Sequence, residues 1–357
     1  MRKTIFLSLL SFLAVSCHEE VILPVGDDRP VGVMNALLNT LDTTHTVLLS
    51  VARKSQMSPL DKADVHVFVN GTQTATAEEM FGIVQYDPEK EVGYSFNAAF
   101  RPGDEVRIEA RKDDISMTAT VTAPQPATLL SADTAYVRLN YLGETSYYLQ
   151  VKTVFQDLPG ASFYRVTGRL LDEFEYLDIE RNPVPGYSGT AENTLWIETG
   201  FDPVISEGAG KTSADMATLL SEGHTNHCFS DLPFAGQECT IRPLFEHWCL
   251  NIYYPGQYIT DTMSEDRSTL EDYYYQIVRR RAFVQIRTLD FSHYHYLKAL
   301  EKLDTFGPEF RFLVEPSTLP SNVEGGQGFV GIETVSEIVF YENGYVAYPH
   351  ALFYRDE

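Results

Sequence analysis

Cysteine and histidine residues cluster in one short stretch, where they could hold a metal ion or form a disulfide. The stretch contains His224, His227, Cys228, Cys239, His247 and Cys249. Structural zinc sites usually pair ligands two to four residues apart, and neither Cys228 nor Cys239 has a cysteine that close. In an oxidising compartment the spacing favours one disulfide among Cys228, Cys239 and Cys249, with the third thiol buried, over a metal site. Which two cysteines pair stays open, and we expect no metal and no cofactor.

The sequence contains near matches to two catalytic loops. Residues 208–212 resemble a phosphate-binding loop, but its first glycine would fall at Ile205. Residues 186–189 are one residue short of the Gly-x-Ser-x-Gly nucleophile elbow and lie in a Pro-rich stretch, so we expect a turn there. The His-Glu-x-x-His zinc motif is missing from the sequence as well. We therefore assign no catalytic residue and expect a protein that is not an enzyme.

Tyrosines offer a different kind of site, a stacking surface for a sugar or a peptide, because the ring is a rigid contact area with a polar tip. The candidate ligand contacts are Tyr253, Tyr254, Tyr273 and Tyr275, which enclose an acidic loop. Consecutive residues of a strand point to opposite faces, so at most half of such a cluster can share one surface. Packing within the sheets is the competing interpretation.

A glycine-rich segment could form a loop that contacts a receptor. The candidate residues are Asn322, Glu324, Gly325 and Gly326. Glycines this close together indicate positive φ angles or a close approach of two backbones. The pattern therefore favours a tight crossover within a sandwich, and the contact loop stays as the alternative.

The composition indicates a folded, acidic and β-rich chain. Of its 357 residues, 27 are Lys or Arg and 50 are Asp or Glu, which gives a formal net charge of -23. This charge repels nucleic acid phosphates and anionic lipid head groups, so neither is an expected partner of the protein surface. Aromatic residues make up 12% of the chain, and short apolar runs alternate with Gly, Pro, Asn and Asp. That alternation is typical of strands separated by turns.

The N-terminus has the features of an export signal. Arg2 and Lys3 precede an apolar run at residues 5–15, and small residues lead to Cys17. This run is too short to span a membrane, which takes about 20 residues. Residues 1–16 are therefore predicted to be a bacterial lipoprotein signal peptide that is removed. Cys17 would then carry acyl chains such as palmitate and anchor the protein.

Residues 31–122 are predicted to form one β-sandwich of the immunoglobulin-like or transthyretin-like kind. Seven short strands are expected, at residues 31–38, 45–52, 65–69, 82–86, 92–98, 105–110 and 116–121. Asn70 and Gly71 tolerate the positive φ angles of a type I′ turn, so they predict a hairpin. A Pro-rich linker at residues 123–128 follows, because paired prolines cannot donate ladder hydrogen bonds.

Residues 129–357 are predicted to form a larger β-rich domain with one helix. Its strands are expected at residues 147–154, 162–168, 238–244, 250–254 and 282–289, with a hairpin at residues 338–348. The helix should begin at a capping Ser292 and end near Thr305, because apolar side chains recur between them and Gly307-Pro308 stops the helix. The expected fold class is therefore mainly β, with two β-sandwich-like domains.

Several segments together resemble the domain of unknown function 4249 family over nearly the whole mature chain. They are residues 35–38, 63–71, 157–160, 163–165, 229–231, 234–237 and, above all, 320–331. The family comprises Bacteroidetes lipoproteins that are commonly encoded beside TonB-dependent outer-membrane receptors. The resemblance implies a location and a receptor partner, and it implies no reaction. The three later cysteines and the hairpin after Gly331 depart from the usual family pattern.

Residues 17–30 would form a lipidated tether. In Bacteroidetes lipoproteins, acidic residues after the lipidated cysteine resemble the signal for the outer face of the outer membrane, and His18, Glu19 and Glu20 match it in part. A solvated tether, extended by its own charge repulsion, is the alternative. The expected location is the outer membrane, with the protein lipid-anchored and facing the cell surface.

Together these features predict a surface-exposed outer-membrane lipoprotein. It would be a non-enzymatic accessory or ligand-capture subunit of a TonB-dependent nutrient importer, with a small peptide or glycan as ligand. One alternative is a fimbrial or adhesive subunit, which would need a donated strand and a maturation site. The other is a peptide or glycan hydrolase, which would need a catalytic spacing that the sequence lacks.

The lipid anchor gives the first testable prediction. Replacing Cys17→Ala removes the only side chain proposed to take up acyl chains, so residues 1–16 should remain attached and lipid should be lost. Metabolic labelling with an alkyne fatty acid measures this. Label that persists in the Cys17→Ala protein would show that the anchor lies elsewhere, and Cys228→Ala is the matched control that should keep its label.

Overall fold

The computed structural model shows a mainly β protein with several sheets and one helix, as the composition predicts. It describes residues 30–53, 56–80, 89–141, 144–178, 180, 182–207, 227–246, 274–305 and 319–343. Over these residues the helix is α1 (Phe291–Thr305). The strands are β1 (Val31–Asn39), β2 (Thr44–Arg53), β3 (Gln56–Pro59), β4 (Asp64–Val69), β5 (Thr72–Thr76), β6 (Glu78–Glu79), β7 (Val92–Asn97), β8 (Glu105–Lys112), β9 (Ile115–Thr122), β10 (Thr128–Tyr141), β11 (Glu144–Gln156), β12 (Phe163–Leu177), β13 (Pro183–Leu195), β14 (Ile197–Glu198), β15 (Cys228–Ser230), β16 (Glu238–Ile241), β17 (Leu244–Glu246), β18 (Tyr274–Leu289) and β19 (Val330–Asn343).

The strands form three sheets, and the largest one extends through both halves of the molecule. Its order is β13-β12-β18-β19-β1-β2-β7-β6, with β15 also paired to β12 and β3 to β2. The second sheet has the order β10-β11-β17-β14, with β16 paired to β11. The third has the order β5-β4-β8-β9. The first sheet is therefore covered by the third sheet in one half and by the second sheet in the other.

The N-terminal sandwich has a core of alternating apolar residues. Along β1 the side chains of Met34, Ala36 and Leu38 are buried, which is the period of two expected of a strand with one covered face. They belong to one core with apolar side chains of the third sheet, including Val65, Val67, Val106, Ile108, Met117 and Ala119. Burial of these side chains is the main favourable contribution to folding of this half.

The C-terminal sandwich has a core of its own. Val166, Val284 and Ile286 from the first sheet are fully buried. They join the core that contains Val151 and Phe155 of the second sheet. The aromatic rings of Phe155 and Tyr164 meet edge to face, with centroids 5.1 Å apart, an arrangement that stabilises beyond the buried area alone.

Strand β19 joins the two sandwiches. Its first residues pair in parallel with β1, from Ala36 opposite Val330 to Asn39 opposite Glu333. The remainder pairs antiparallel with β18, beginning at Thr334 opposite Thr288. Val330 and Ile332 are therefore part of the N-terminal core although they lie far along the C-terminal half of the sequence. The two sandwiches share a strand, a connection that local sequence patterns do not indicate.

The Pro-rich linker lies against this shared strand. The Thr334 hydroxyl donates to the Pro124 carbonyl oxygen at 2.6 Å, and the Ser336 hydroxyl donates to the Ala127 carbonyl oxygen at 2.7 Å. Residues 123–127 are extended but outside the ladders, as the prolines predict. The side-chain bonds hold the linker in place along β19.

Most strands predicted from alternation are present. Of the seven strands expected at residues 31–122, six correspond to β1, β2, β4, β7, β8 and β9, and the one at residues 82–86 lies outside the described residues. The predicted hairpin turn is confirmed, because Asn70 and Gly71 have φ angles of 50° and 79° between β4 and β5. In the C-terminal half β11, β12 and β18 are confirmed, whereas the strand expected at residues 238–244 divides into β16 and β17 at Pro243.

Residues 186–189 are not the turn that we expected. They belong to β13, an edge strand that pairs with β12 from Gly168 opposite Leu195 to Leu177 opposite Pro183. Pro183 and Pro185 made a strand unexpected here, because proline cannot donate a ladder hydrogen bond and is tolerated in a sheet only at an edge. The strand at residues 250–254 and the second arm of the hairpin at residues 338–348 lie outside the described residues, and the first arm is part of β19.

The predicted helix is confirmed, with a different capping residue. The Asp290 carboxylate accepts a hydrogen bond from the His293 backbone N–H at 2.8 Å, so Asp290 and not Ser292 caps α1. Tyr294 and Leu297 pack from the helix onto Phe163 and Cys228. Within the described ranges, no helix is both long and apolar enough to cross a membrane.

The glycine-rich segment before β19 is a crossover held between two strands. The Gln327 N–H donates to the Gly32 carbonyl oxygen and the Met34 N–H donates to the Gln327 carbonyl oxygen, both at 2.9 Å. On the other side Glu324 and Thr118 form an isolated antiparallel bridge. The crossover interpretation of the glycines is confirmed for the backbone of this segment.

Gly325 should be intolerant of a side chain for reasons of space as well as of backbone angle. Its φ is +76°, and a Cβ there would overlap the carbonyl oxygen of Ser116, whereas Gly71 has a φ of +79° and open space around it. Both Ala variants carry the left-handed strain of about 1–2 kcal/mol, and only Gly325→Ala adds a clash of about 1–3 kcal/mol. We expect Gly325→Ala to lower the melting temperature clearly more than Gly71→Ala; equal shifts would contradict a packed crossover.

Candidate functional site

The inner faces of the C-terminal sandwich continue beyond its apolar core. On β12 the inward-facing residues are Leu170, Asp172, Phe174 and Tyr176, and Leu170 is the last one in the core. At about 3.3 Å a residue, Tyr176 lies roughly 20 Å further along the strand than Leu170. The side chains change from apolar to ionic to aromatic over this distance. This end of the sandwich is where a surface distinct from the core is formed.

A buried ion pair marks the end of the core. Arg280 of β18 lies opposite Asp172 of β12 and donates two hydrogen bonds to its carboxylate, from Nε to Oδ1 and from Nη2 to Oδ2, each at 2.6 Å. Both side chains are buried. The bidentate geometry matches the planar guanidinium to the planar carboxylate, so the two charges compensate each other at close range.

Aromatic rings follow the ion pair on the first sheet. The rings of Phe174 and Tyr176 lie 6.0 Å apart, and those of Tyr176 and Tyr187 lie 6.5 Å apart, in edge-on arrangements. Gly189 lies opposite Phe174 on β13, and a Cβ there would come within 3.0 Å of the Phe174 ring. Because glycine has no side chain, the Phe174 ring has room to lie over β13 at this position. Tyr187 is 61% exposed.

The second sheet contributes aromatic residues from the opposite side. Tyr136 of β10 pairs with Leu149 of β11, and Arg138 pairs with Tyr147. Leu149 is buried in the core, so Tyr136 and Tyr147 share its inward-facing side. Even so, Tyr136 is 59% exposed and Tyr147 is 38% exposed. Both rings are therefore partly open to solvent although they lie on the side of the strand that faces the core.

Tyr341 of β19 connects the two sides. It packs against the apolar core next to Ala282. Burial raises the pKa of Tyr341, and nearby Tyr136 raises it further while Arg280 opposes the shift. Tyr341 lies level with Leu170, whereas Tyr176 lies roughly 20 Å further along the strands. We use the name tyrosine mouth for the aromatic side chains on both sides of the Asp172–Arg280 pair, which are Tyr136, Tyr147, Phe174, Tyr176, Tyr187 and Tyr341.

One of the four predicted ligand-contact tyrosines lies in a described strand beside a residue of this mouth. Tyr275 lies on β18 opposite Tyr176 of β12. Tyr253, Tyr254 and Tyr273 lie outside the described residues. Sequence reasoning missed Tyr136 and Tyr187, since β10 and β13 were not foreseen. It could have found Tyr147, which has the same parity as the buried Leu149.

The predicted receptor-contact residues belong to the glycine crossover. The Asn322 side chain is bonded to the backbone of Val330, donating at 2.7 Å and accepting at 2.9 Å. Gly326 is partly covered, and Glu324 and Gly325 are exposed at the surface. The segment therefore has a structural role, and a contact through its exposed residues stays a prediction.

The predicted cysteine and histidine cluster is only partly described. Cys228 and Cys239 are buried and do not form a disulfide with each other. Burial raises the pKa of both thiols, that of Cys239 to about 12. His227 shares a hydrogen bond with Thr199, Nδ1 to Oγ1, at 2.9 Å. His224, His247 and Cys249 lie outside the described residues, and among the residues that are described no three His, Cys, Asp or Glu side chains are grouped as metal ligands would be.

A buried ion cluster lies on the other face of the first sheet, next to the start of α1. The Glu333 carboxylate accepts hydrogen bonds from Arg165 at 3.1 Å and from Arg287 at 2.8 Å. Burial alone would raise the pKa of Glu333, but the two guanidinium groups outweigh it and hold the pKa at about 2. His293 Nε2 lies 3.9 Å from the same carboxylate. The charge of Glu333 is compensated by ion pairs within the cluster, so the cluster has a structural role.

His293 belongs to this cluster, but no hydrogen bond compensates for the burial of its ring. Its ring is fully buried, and neither nitrogen makes a hydrogen bond of normal geometry. Burial lowers the pKa of His293, although Glu333 opposes the shift. The imidazole is therefore held neutral beside Phe329, whose ring centroid is 5.5 Å away.

A shallow pocket of about 140 Å³ lies by the second sheet. Phe201 and Arg242 line it together with Asp202. The Asp202 carboxylate is already occupied by backbone N–H donors, including those of Val204 and Ile205 at 2.8 and 3.1 Å. It therefore anchors this loop.

Comparison with known proteins gives a family and no characterised relative. The family model described as domain of unknown function (DUF4249) matches residues 18–338, which is nearly the whole chain. No curated protein matches the chain. The match agrees with the resemblance seen in the sequence segments, and it includes both sandwiches.

The neutral buried His293 predicts a loss of stability in mild acid. Its pKa is lowered from 6.5 in the folded state, so below that pH the unfolded chain binds the proton more readily and stability falls with pH. We expect the melting temperature to fall more steeply between about pH 7 and pH 5 in the native chain than in His293→Gln.

The matched control is His66→Gln, which makes the same substitution at a partly exposed imidazole on β4. Keeping the melts above about pH 5 avoids the range in which Glu333 is protonated in the unfolded chain. Parallel slopes for the native chain and His293→Gln would contradict this account of His293.

Proposed function

We propose that this chain, which belongs to the domain of unknown function 4249 family, is a surface-exposed outer-membrane lipoprotein. It serves as a non-enzymatic accessory or ligand-capture subunit of a TonB-dependent nutrient importer. The export signal, Cys17 and the acidic residues after it support the location. The family's usual neighbourhood supports the partner.

The tyrosine mouth is the observation that carries the ligand-capture role. Exposed aromatic rings that lie near one another are typical of a contact surface. Tyr136 and Tyr187 are each more than half exposed. They lie on strands from two different sheets, so the contact surface is held by the scaffold and not by a single loop.

The mouth lies far from the start of β1, where the proposed tether enters the fold. The tether leads into β1 at Val31, and β1 runs parallel to β19 where Asn39 lies opposite Glu333. From there β19 continues in the same direction to Asn343. About 18 residue steps therefore separate the tether from the mouth, or roughly 60 Å at about 3.3 Å a residue. A lipid at Cys17 would leave the mouth at the end of the molecule away from the membrane.

A non-enzymatic role is supported by how three of the buried carboxylates are used. Asp172 and Glu333 are paired with arginines, and Asp202 is bonded to backbone N–H groups. A general acid or base needs a proton that it can exchange with substrate. These carboxylates are instead committed to the scaffold.

Isolation from native membranes tests the proposed partner. A C-terminally tagged chain, purified from its own outer membrane in mild detergent, should bring down a TonB-dependent β-barrel. The Cys17→Ala variant is the control, since it should lose the partner together with its membrane location. Protease added to intact cells should degrade the native chain if it faces outward. Repeated failure to recover any such barrel would refute the importer role.

A further inference from the structure

We propose that the outer edge of β13 binds an extended, basic segment of a partner protein as an added antiparallel strand. The binding edge is defined as residues 188–194 of β13. Three properties of this edge lead to the inference: the direction of its backbone groups, its lack of protection against strand pairing, and its uncompensated negative charge. The inference rests on the sheet edge alone, so it goes beyond the importer role proposed above and does not depend on it.

The hydrogen bonds of β12 show which backbone groups of β13 point away from the sheet. β12 pairs with β18 along one side, and with β15 and β13 along the other. The Val166 N–H donates to the His227 carbonyl oxygen at 3.2 Å on the β15 side. Because these groups alternate along a strand, the even-numbered residues of β12, from Gly168 opposite Leu195 onward, form the hydrogen-bonded pairs with β13. The residues of β13 between these pairs therefore point their N–H and C=O groups outward, and they are Ser188, Thr190, Glu192 and Thr194.

The outward backbone groups are open to solvent. All four residues are exposed. Within the described ranges, no strand lies beyond β13 in the first sheet, and no backbone hydrogen bond from elsewhere in the fold is made to these four residues. Each residue offers one donor and one acceptor, and such a row of unpaired groups is a template for another strand. The chemistry of the edge therefore specifies an extended peptide backbone as its ligand.

Protection against strand pairing is confined to the other end of β13. Natural edge strands are usually protected by Pro, by Lys or by a β-bulge. Pro183 and Pro185 lie at the beginning of β13, next to a register shift against β12. From Ser188 to Thr194 the pairing with β12 is regular, and this part of the sequence has no Pro and no Lys. The added strand should therefore lie along the binding edge.

The charges beside the binding edge favour a basic strand. Glu175 of β12 lies opposite Ser188, whose side chain is short, and no basic side chain of the described ranges forms an ion pair with Glu175. Glu192 is bonded to Arg169 at 2.7 Å, but Arg169 is shared with Glu337 at 3.1 Å. One guanidinium therefore compensates two carboxylates only in part. A Lys or Arg on the same face of the added strand supplies the missing charge, as opposite charges on neighbouring strands stabilise a sheet.

A second copy of this chain fits the edge less well than a basic strand. Each chain has a net charge of -23, so two copies repel each other over long range. Pairing β13 with β13 of another copy would also bring together the carboxylates of Glu175 and Glu192 from both chains. The same charges attract a basic strand. We therefore assign the edge to a partner of opposite charge.

Fluorescence anisotropy with short peptides and the full mature chain in neutral detergent tests the proposal. The probe is a capped nonapeptide that alternates Lys with Thr, and the charge control alternates Glu with Thr. Two further controls have N-methyl groups on every Lys nitrogen or on every Thr nitrogen. In an antiparallel pair, residues that share a face with Thr190 and Glu192 point their N–H groups at β13. We expect the Lys probe to bind, Lys methylation to weaken it at least tenfold, and Thr methylation to leave it unchanged.

The variants follow from the same geometry. Thr190→Pro removes one outward N–H without removing a hydrogen bond to β12, so it should keep the native melting temperature and weaken binding about tenfold. Thr190→Ala is the matched control, because it keeps the N–H and should bind as the native chain does. Glu175→Gln should weaken binding of the Lys probe about two- to fivefold. If Thr190→Pro lowers the melting temperature, the methylated peptides alone decide.

Several results would overturn the proposal. They are no binding of the Lys probe up to about 1 mM, equal binding of the Glu control, and binding of the Lys-methylated peptide as tight as that of its parent. Sedimentation of the native chain as a dimer that Thr190→Pro dissociates would assign the edge to a second copy and overturn it as well. Recovery of a TonB-dependent barrel is a separate measurement and concerns the importer role alone.

Discussion

The parallel pairing of β1 with β19 is the interaction on which the rest of the structure depends. It brings the beginning of the described chain against its end and makes one sheet out of two half-sheets. Each half-sheet then has one face to cover, and each is covered by a sheet of its own half. The shared strand also determines where the tyrosine mouth lies relative to the N-terminal core, because β19 runs from that core to the mouth.

The segments that resemble the family lie at joints of this scaffold. Asp157 accepts a hydrogen bond from the Tyr164 hydroxyl at 2.5 Å and one from the Gly236 N–H at 2.6 Å, so a single carboxylate joins three of these segments. Asn35 accepts a hydrogen bond from the Phe329 N–H at 3.0 Å and so joins β1 to the glycine crossover. The segments therefore account for a common fold, whereas Tyr136 and Tyr187 of the mouth lie outside them.

Local sequence patterns predicted the features of the fold that depend on residues close together in the chain. Alternation gave the main strands of the N-terminal half, and Asn70-Gly71 gave the hairpin, because both depend on neighbours in the chain. The β1–β19 pairing could not be predicted, since Ala36 and Val330 meet only after the whole chain has folded. The mouth was missed for a related reason: β13 is rich in Pro and Gly, and its exposure follows from its edge position and not from its residue types.

The Asp172–Arg280 pair explains why the apolar core ends where it does. Apolar residues at these two positions would continue the core and draw the sheets together, because apolar area is best buried. A buried ion pair instead offers no net gain from closer packing, and it is retained only while both partners stay matched. Beyond the pair, Phe174 packs over Gly189, and Tyr187 is 61% exposed. The apolar core therefore ends at one charged pair placed on the inner face of long strands, and aromatic side chains follow it.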